Sequence, residues 1–234
     1  MPGDPIFDHP VLLVLFRPYL EILRKELKLK KKDVRHLLFP AADYFTGSPA
    51  GRKISVFGTP LGAPQAAIML ERLIVMGAGK VLAFGCCGSL QPDLKIGDLV
   101  IPTTAISEEG TSDHYPLPAG VEAKADERLA RLCVEKCRGK NFEAPTGRIW
   151  TTDALFRETH EKTRRYSQQG LLGVEMEMSA LFTVATYRNV RLGGLLTVSD
   201  ELGAGKWKMG FLDANFWSAS RQAARLALEI CLAL

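Results

Sequence analysis

No apolar run in this 234-residue chain approaches the roughly 18 residues needed to cross a bilayer. The stretch from Val11 to Phe16 stops far short of that. The start, Met1-Pro-Gly-Asp-Pro-Ile-Phe-Asp-His9, lacks the positive residues of a secretory leader. A membrane partner is therefore not expected, and the cytoplasm is the expected compartment. Charge of one sign is also missing. The 30 Lys and Arg against 26 Asp and Glu leave a net +4, too little to argue for nucleic acid. Basic residues cluster from Arg24 to Arg35, and a solvated helix end and loop accounts for them, because cations favour helix C-termini. Cysteine is scarce and odd in number, five in all, which excludes a complete disulfide framework. Cys133 and Cys137 stand one helical turn apart without a second Cys/His pair nearby, so no metal is expected. They and Cys231 read as buried thiols. There is no repeat, no low-complexity tract and no dividing linker, so residues 1–234 read as one α/β domain.

What is present is alternation. Apolar runs of strand length (Val11–Phe16, Arg52–Gly58, Lys80–Gly85, Asp98–Ile106, Gly147–Thr152, Val174–Met176, Gly193–Ser199) alternate with amphipathic stretches of helix length (Arg17–Leu27, Gly62–Met76, Ala125–Cys137, Ser179–Tyr187, Phe211–Leu234). In Gly62–Met76 the apolar Ala66, Met69, Leu70 and Leu73 follow the helical period. Thr152 or Asp153 is placed to cap a further helix running toward Tyr166, with Glu158 and Glu161 near its start. This order predicts an α/β fold with a mixed, largely parallel central sheet covered by helices on both faces. Ligands gather at the carboxyl ends of such strands.

Those ends hold the residues of interest. Glu175 and Glu177 flank Met176 in Gly173-Val-Glu-Met-Glu-Met. On an extended segment both carboxylates share a face; if the chain kinks into the next helix they separate and Met176 turns inward. A carboxylate accepts two hydroxyl hydrogen bonds at once, so a vicinal diol is a natural partner. Either glutamate could instead cap the helix near Ser179. Asp200 closes the apolar run Leu195-Leu-Thr-Val-Ser199, where an acid could serve a leaving nitrogen, though Ser-Asp also starts ordinary turns. Gly85-Cys-Cys-Gly-Ser-Leu90 reads as a glycine turn able to form an anion-binding nest, without the lysine of a P-loop. Asp113, His114 and Tyr115 form either a substrate lid or a polar loop.

Together these residues resemble the nucleoside phosphorylase superfamily, which holds purine nucleoside phosphorylases, uridine phosphorylases and nucleosidases. Val174-Glu-Met-Glu177 with Thr197-Val-Ser-Asp200 carries the resemblance, supported by Ile96-Gly-Asp-Leu-Val100, Glu109-Gly-Thr-Ser-Asp-His-Tyr115 and Thr152-Asp-Ala-Leu-Phe156. The resemblance implies a pentosyltransferase that cleaves the N-glycosidic bond of a nucleoside, with a purine-type base. Met176 would pack under the ribose, and Glu177, with Glu175, would accept its hydroxyls. Asp200 would serve N7 of the base, with Phe156, Leu155 and Ser199 lining the base pocket. Cys86, Cys87 and Gly88 would face the phosphate, a co-substrate; no other cofactor is implied. The relatives form homo-oligomers whose neighbours complete the site.

Two departures bear on that expectation. Ala83 stands where the family's phosphorylases carry an arginine, and Phe16-Arg-Pro-Tyr-Leu20 replaces the Gly-Asp-Pro-x-Arg signature. Gly3-Asp4-Pro5 precedes the first strand and does not substitute for it. Arg17, or Arg35 reaching into a neighbour, are the candidate anion donors. If water replaces phosphate, making the enzyme a hydrolytic nucleosidase, Glu21 is the candidate base. Loss of the anion site also leaves open a non-catalytic nucleoside-binding protein.

Overall fold

The computed structural model describes residues 6–37, 41–203 and 205–234, so Gly3-Asp4-Pro5 lies outside the described residues. In chain order the elements are β1 (Val11–Val14), α1 (Pro18–Glu26), β2 (Arg35–Leu37), β3 (Ala42–Gly47), β4 (Ile54–Gly58), α2 (Ala63–Val75), β5 (Lys80–Ser89), β6 (Leu99–Glu108), α3 (Glu127–Arg138), β7 (Thr146–Thr152), α4 (His160–Gln168), β8 (Gly173–Glu175), α5 (Met178–Tyr187), β9 (Arg191–Glu201), β10 (Lys208–Met209) and α6 (Ala214–Leu232).

All strands belong to one sheet, ordered β10-β9-β6-β7-β8-β5-β1-β4-β3-β2. A further pairing of β9 with β5 closes β5, β9, β6, β7 and β8 into a ring. The run β4-β1-β5-β9 is parallel, as is β6-β7-β8. Antiparallel pairs join these two runs and form both edges. The sheet is therefore mixed with a parallel centre, as the alternation predicts.

Helices cover both faces. Met69, Leu70 and Leu73 of α2 and Leu181 and Phe182 of α5 pack on one face. Leu23 of α1, Cys133 of α3 and Phe216 of α6 pack on the other. Burial of each such side chain contributes roughly 1.5–3 kcal/mol. Cys133, Cys137 and Cys231 are buried free thiols. Among the described residues no cluster of His, Cys, Asp and Glu could hold a metal, and no helix is long and apolar enough to cross a membrane.

Three local expectations are corrected. Gly85–Leu90 is not a glycine turn, because β5 continues to Ser89 and pairs with β9 and β8. That ladder uses the backbone groups an anion nest would need. Gly88 and Gly173 permit the continuation: a Cβ on Gly173 would lie 2.9 Å from the Gly88 carbonyl oxygen, and one on Gly88 would lie 2.4 Å from Leu202. Second, the helix expected from Thr152 or Asp153 begins at His160, where the Thr159 hydroxyl accepts the Lys162 N–H at 3.3 Å. A 3-10 turn over Leu155–Arg157 precedes it, so Glu158 lies ahead of the helix rather than in its first turn. Third, β2 and β3 were not foreseen. β2 is the edge of the sheet and β3 lies between it and β4; both have several half-buried or exposed positions and are too short and polar for a periodic signal.

Candidate functional site

Register assembles the site. In the β5–β9 ladder Gly88 stands opposite Asp200, and in the β5–β8 ladder it stands opposite Val174. One glycine thus has Asp200 on one side and the strand bearing Glu175 on the other. A shift in register between Cys87 and Gly88 marks the place. Such bulges re-aim side chains at strand ends. The result is a cavity of about 500 Å³ whose lining includes Cys86, Gly88, Met176, Glu177, Ser199 and Asp200. The acidic pair and Asp200 therefore converge, as the sequence suggests.

The two glutamates have different surroundings because the chain kinks between them. β8 ends at Glu175, and α5 starts at Met178. Glu175 Oε2 accepts the N–H groups of Glu177 and Met178, each at 2.7 Å. Its Oε1 accepts the Thr151 hydroxyl, and Thr151 Oγ1 in turn accepts the Ser179 N–H at 3.0 Å. Glu175 thus satisfies donors at the amino end of α5. Glu177 points elsewhere: its Oε1 accepts the Gly62 N–H at 2.6 Å, at the amino end of α2. The Met176 backbone N–H also favours its ionised form, and Glu177 lines the cavity. Burial pushes both carboxyls above the ordinary value of 4.5, and Glu175 raises Glu177 further. Met176 also lines the cavity, as expected of the kinked alternative.

Asp200 lies within β9 rather than after it. Its Oδ1 accepts the Ser199 hydroxyl at 2.7 Å, and its Oδ2 accepts the Trp207 indole N–H at 2.8 Å. Both oxygens are thereby oriented. Phe156 is 96% exposed and Leu155 50%, so they rim the mouth rather than wall it. The Cys86 thiol is pushed up to about 12, chiefly by burial. A thiol held neutral in this way is a weak hydrogen-bond donor rather than a nucleophile.

The expected anion partners lie outside this cavity. Arg17 lines an adjoining cavity of about 460 Å³ with His36 and Asp43, and the two cavities share Leu15, Phe16 and Leu61. Arg17 approaches Asp43 at 3.4 Å, and His36 meets it at 3.1 Å. Arg35 is exposed on β2 and lines neither cavity. Glu21 corrects the expectation of a water-activating base: it pairs with Arg24 at 2.6 Å on α1 and borders neither cavity. The Arg24 bond holds its carboxyl at about 2, far too low for a base at neutral pH. The 109–115 segment is not a lid on this cavity either. Buried Glu109 accepts the Thr111 N–H at 2.6 Å and the Ser179 hydroxyl at 2.9 Å, and Tyr115 packs on Tyr187 of α5.

Three further lining or supporting residues escaped the sequence reading. Glu158 lines the cavity, and its one signal was its place two residues after Phe156. Trp207 binds Asp200 from the β10 side, and Gly62 binds Glu177 from α2; neither carries a signal in its local sequence.

The cavity thus gathers the acidic pair, Met176 and Asp200 at strand ends of a mixed α/β sheet. The profile of the Phosphorylase superfamily matches residues 13–233, and the chain belongs to that superfamily. Among its relatives, a DeoD-type purine nucleoside phosphorylase from Caldanaerobacter subterraneus subsp. tengcongensis is 34% identical over 163 residues, covering 69% of this chain and 70% of that protein. A guanosine phosphorylase from Halorubrum lacusprofundi is 31% identical over 182 residues, covering 78% and 75%. The crystal structure of a uridine phosphorylase from Vibrio fischeri superposes with a TM-score of 0.81 over the whole of both chains at 21% identity, a likeness of fold.

Proposed function

We propose that this chain is a pentosyltransferase that cleaves the N-glycosidic bond of a purine nucleoside, with phosphate as acceptor. The convergence of Glu177 and Asp200 on one cavity carries this reading. Glycosidic cleavage passes through an oxocarbenium-like state. Glu177 accepts the ribose hydroxyls, and its charge favours the positive sugar. Met176 packs under the ring. Glu175, engaged by the α5 N–H groups, holds the segment that presents both. Asp200 hydrogen-bonds N7 and protonates the leaving base, with Ser199 orienting its carboxyl. Phosphate enters from the adjoining cavity, where Arg17 and His36 supply donors. In a homo-oligomer Arg35 of a neighbour adds another; the exposed Leu61, Leu155 and Phe156 at the mouth support such a contact. Five free thiols suit a cytoplasmic enzyme.

One observation favours hydrolysis as a second reading: no lysine or arginine lines the main cavity among the described residues. A phosphate dianion there has few charge-assisted donors. Incubation with adenosine, inosine and uridine, with and without phosphate, separates the readings. Base release that depends on phosphate and yields pentose 1-phosphate is expected. Equal release without phosphate identifies a nucleosidase, and tight binding without turnover identifies a binding protein.

A further inference from the structure

The Glu158 carboxyl is the one acidic group of the main cavity that none of the proposed chemistry uses. It is part-buried and lines the same wall system as Asp200. No hydrogen bond engages it among the described residues. Asp200, in contrast, is held on both oxygens. Burial and the negative charge of Asp200 push Glu158 up to about 7. An acceptor without a donor, placed beside a second carboxylate, calls for a ligand rich in N–H groups.

Resting on the placement of a purine against Asp200, we propose that Glu158 is a specificity-determining residue that accepts a hydrogen bond from the amino group at position 6, so that 6-aminopurine nucleosides are preferred over 6-oxopurine nucleosides. The reason lies in the edge that a purine turns toward two carboxyls. N7 and the substituent at position 6 are side by side. A 6-aminopurine offers an acceptor at N7 and a donor at the amino group. Asp200 serves the N7 side, as proposed above, and the Glu158 carboxylate accepts from the amino group. A 6-oxopurine offers two acceptors there and leaves the Glu158 carboxylate facing an oxygen without a donor. The cavity has few donors to spare for the oxo group. The Trp207 indole N–H and the Ser199 hydroxyl are engaged on Asp200, and the Thr163 hydroxyl donates to the His160 carbonyl at 3.1 Å. The His160 ring remains, on an exposed residue at the start of α4.

The test is calorimetric binding of adenine and of hypoxanthine to the full chain at pH 8.5, where Glu158 is ionised. Wild type, Glu158→Gln and Glu158→Ala are compared, with kcat/KM for adenosine and inosine measured alongside. A charge-assisted hydrogen bond is worth a factor of about ten or more in affinity. Wild type is therefore expected to bind adenine at least about tenfold tighter than hypoxanthine, and both variants to lose most of that ratio. The glutamine amide can also donate to the oxo group, so Glu158→Gln should gain affinity for hypoxanthine. A ratio unchanged in both variants, or a wild-type preference for hypoxanthine, overturns the assignment while leaving the purine site standing. Binding of neither base overturns the purine site and this inference with it.

Discussion

Glu177 Oε1 accepts the backbone N–H of Gly62 at 2.6 Å. This bond joins the proposed sugar carboxylate, at the start of α5, to the start of α2. The amino end of a helix carries partial positive charge, so α2 favours the ionised form that burial disfavours. Gly62 has φ +98, and a Cβ there would meet only Pro64 at 3.9 Å. Space is available, and the backbone conformation is the constraint. Gly62→Ala should therefore cost about 1–2 kcal/mol, read by urea denaturation. Its KM for nucleoside should rise several-fold as Glu177 loses its anchor, with a smaller change in kcat.

Glu175 and Glu177 should separate stability from activity. Glu175→Leu leaves the N–H groups of Glu177 and Met178 and the Thr151 hydroxyl without their acceptor. Each buried unpaired donor costs about 1–3 kcal/mol, so a loss of about 3 kcal/mol or more is expected in chemical denaturation. Glu177→Gln keeps shape and one acceptor and should unfold nearly as wild type does. Its kcat/KM should fall about a hundredfold, as expected when charge stabilisation of the transition state is lost. Equal activity in Glu177→Gln and wild type would move the sugar site elsewhere.

Asp200→Asn removes the proton donor and retains a carbonyl oxygen for Ser199 or Trp207. General acid catalysis contributes about 10²–10⁴-fold, so kcat should drop by that order while the melting temperature stays within a few degrees. Steady-state kinetics and a thermal melt on the same preparation check both halves.

The acidic cavity also sets how stability depends on pH. Glu158, Glu175 and Glu177 have folded values raised above the ordinary 4.5. Above 4.5 the folded chain holds protons that the unfolded chain releases. The stability contributed by these groups is full below 4.5 and is lost as pH rises through their raised folded values, about 7 for Glu158. The melting temperature should therefore fall between pH 6 and pH 8.5, and Glu177→Gln should flatten that fall. Glu21 and Glu109 have lowered values and act oppositely, losing stability as pH drops below 4.5. A Glu177→Gln melt with the same pH slope as wild type would show that this carboxyl contributes nothing to the linkage.

Much of this protein is legible in one dimension. The apolar run of β9 and the spaced Ala66, Met69, Leu70 and Leu73 of α2 announce their elements by period alone. Glu175, Glu177 and Asp200 stand out because carboxylates at apolar strand ends are costly unless paired or used. Gly85–Leu90 misleads for a physical reason. Two glycines around two cysteines resemble a turn, yet here Gly88 serves close approach between strands, and only its neighbours Leu202 and Gly173 reveal that. Glu158 misleads likewise, since an acid near a helix start reads as a dipole partner until the Leu155–Arg157 turn carries it into the cavity.

The amino-acid sequence alone determined most of the strands and helices, and which chemical groups stand at their ends, because those follow from local period and side-chain type. The tertiary structure alone decided the division of labour among the carboxyls. Opposition of Gly88 to Asp200 and Val174, closure of the ring by β9 on β5, and capture of Glu177 by the Gly62 N–H all depend on hydrogen bonds between segments far apart along the chain. Register of that kind is set by how whole faces pack, and a short segment carries no information about the partner it will meet.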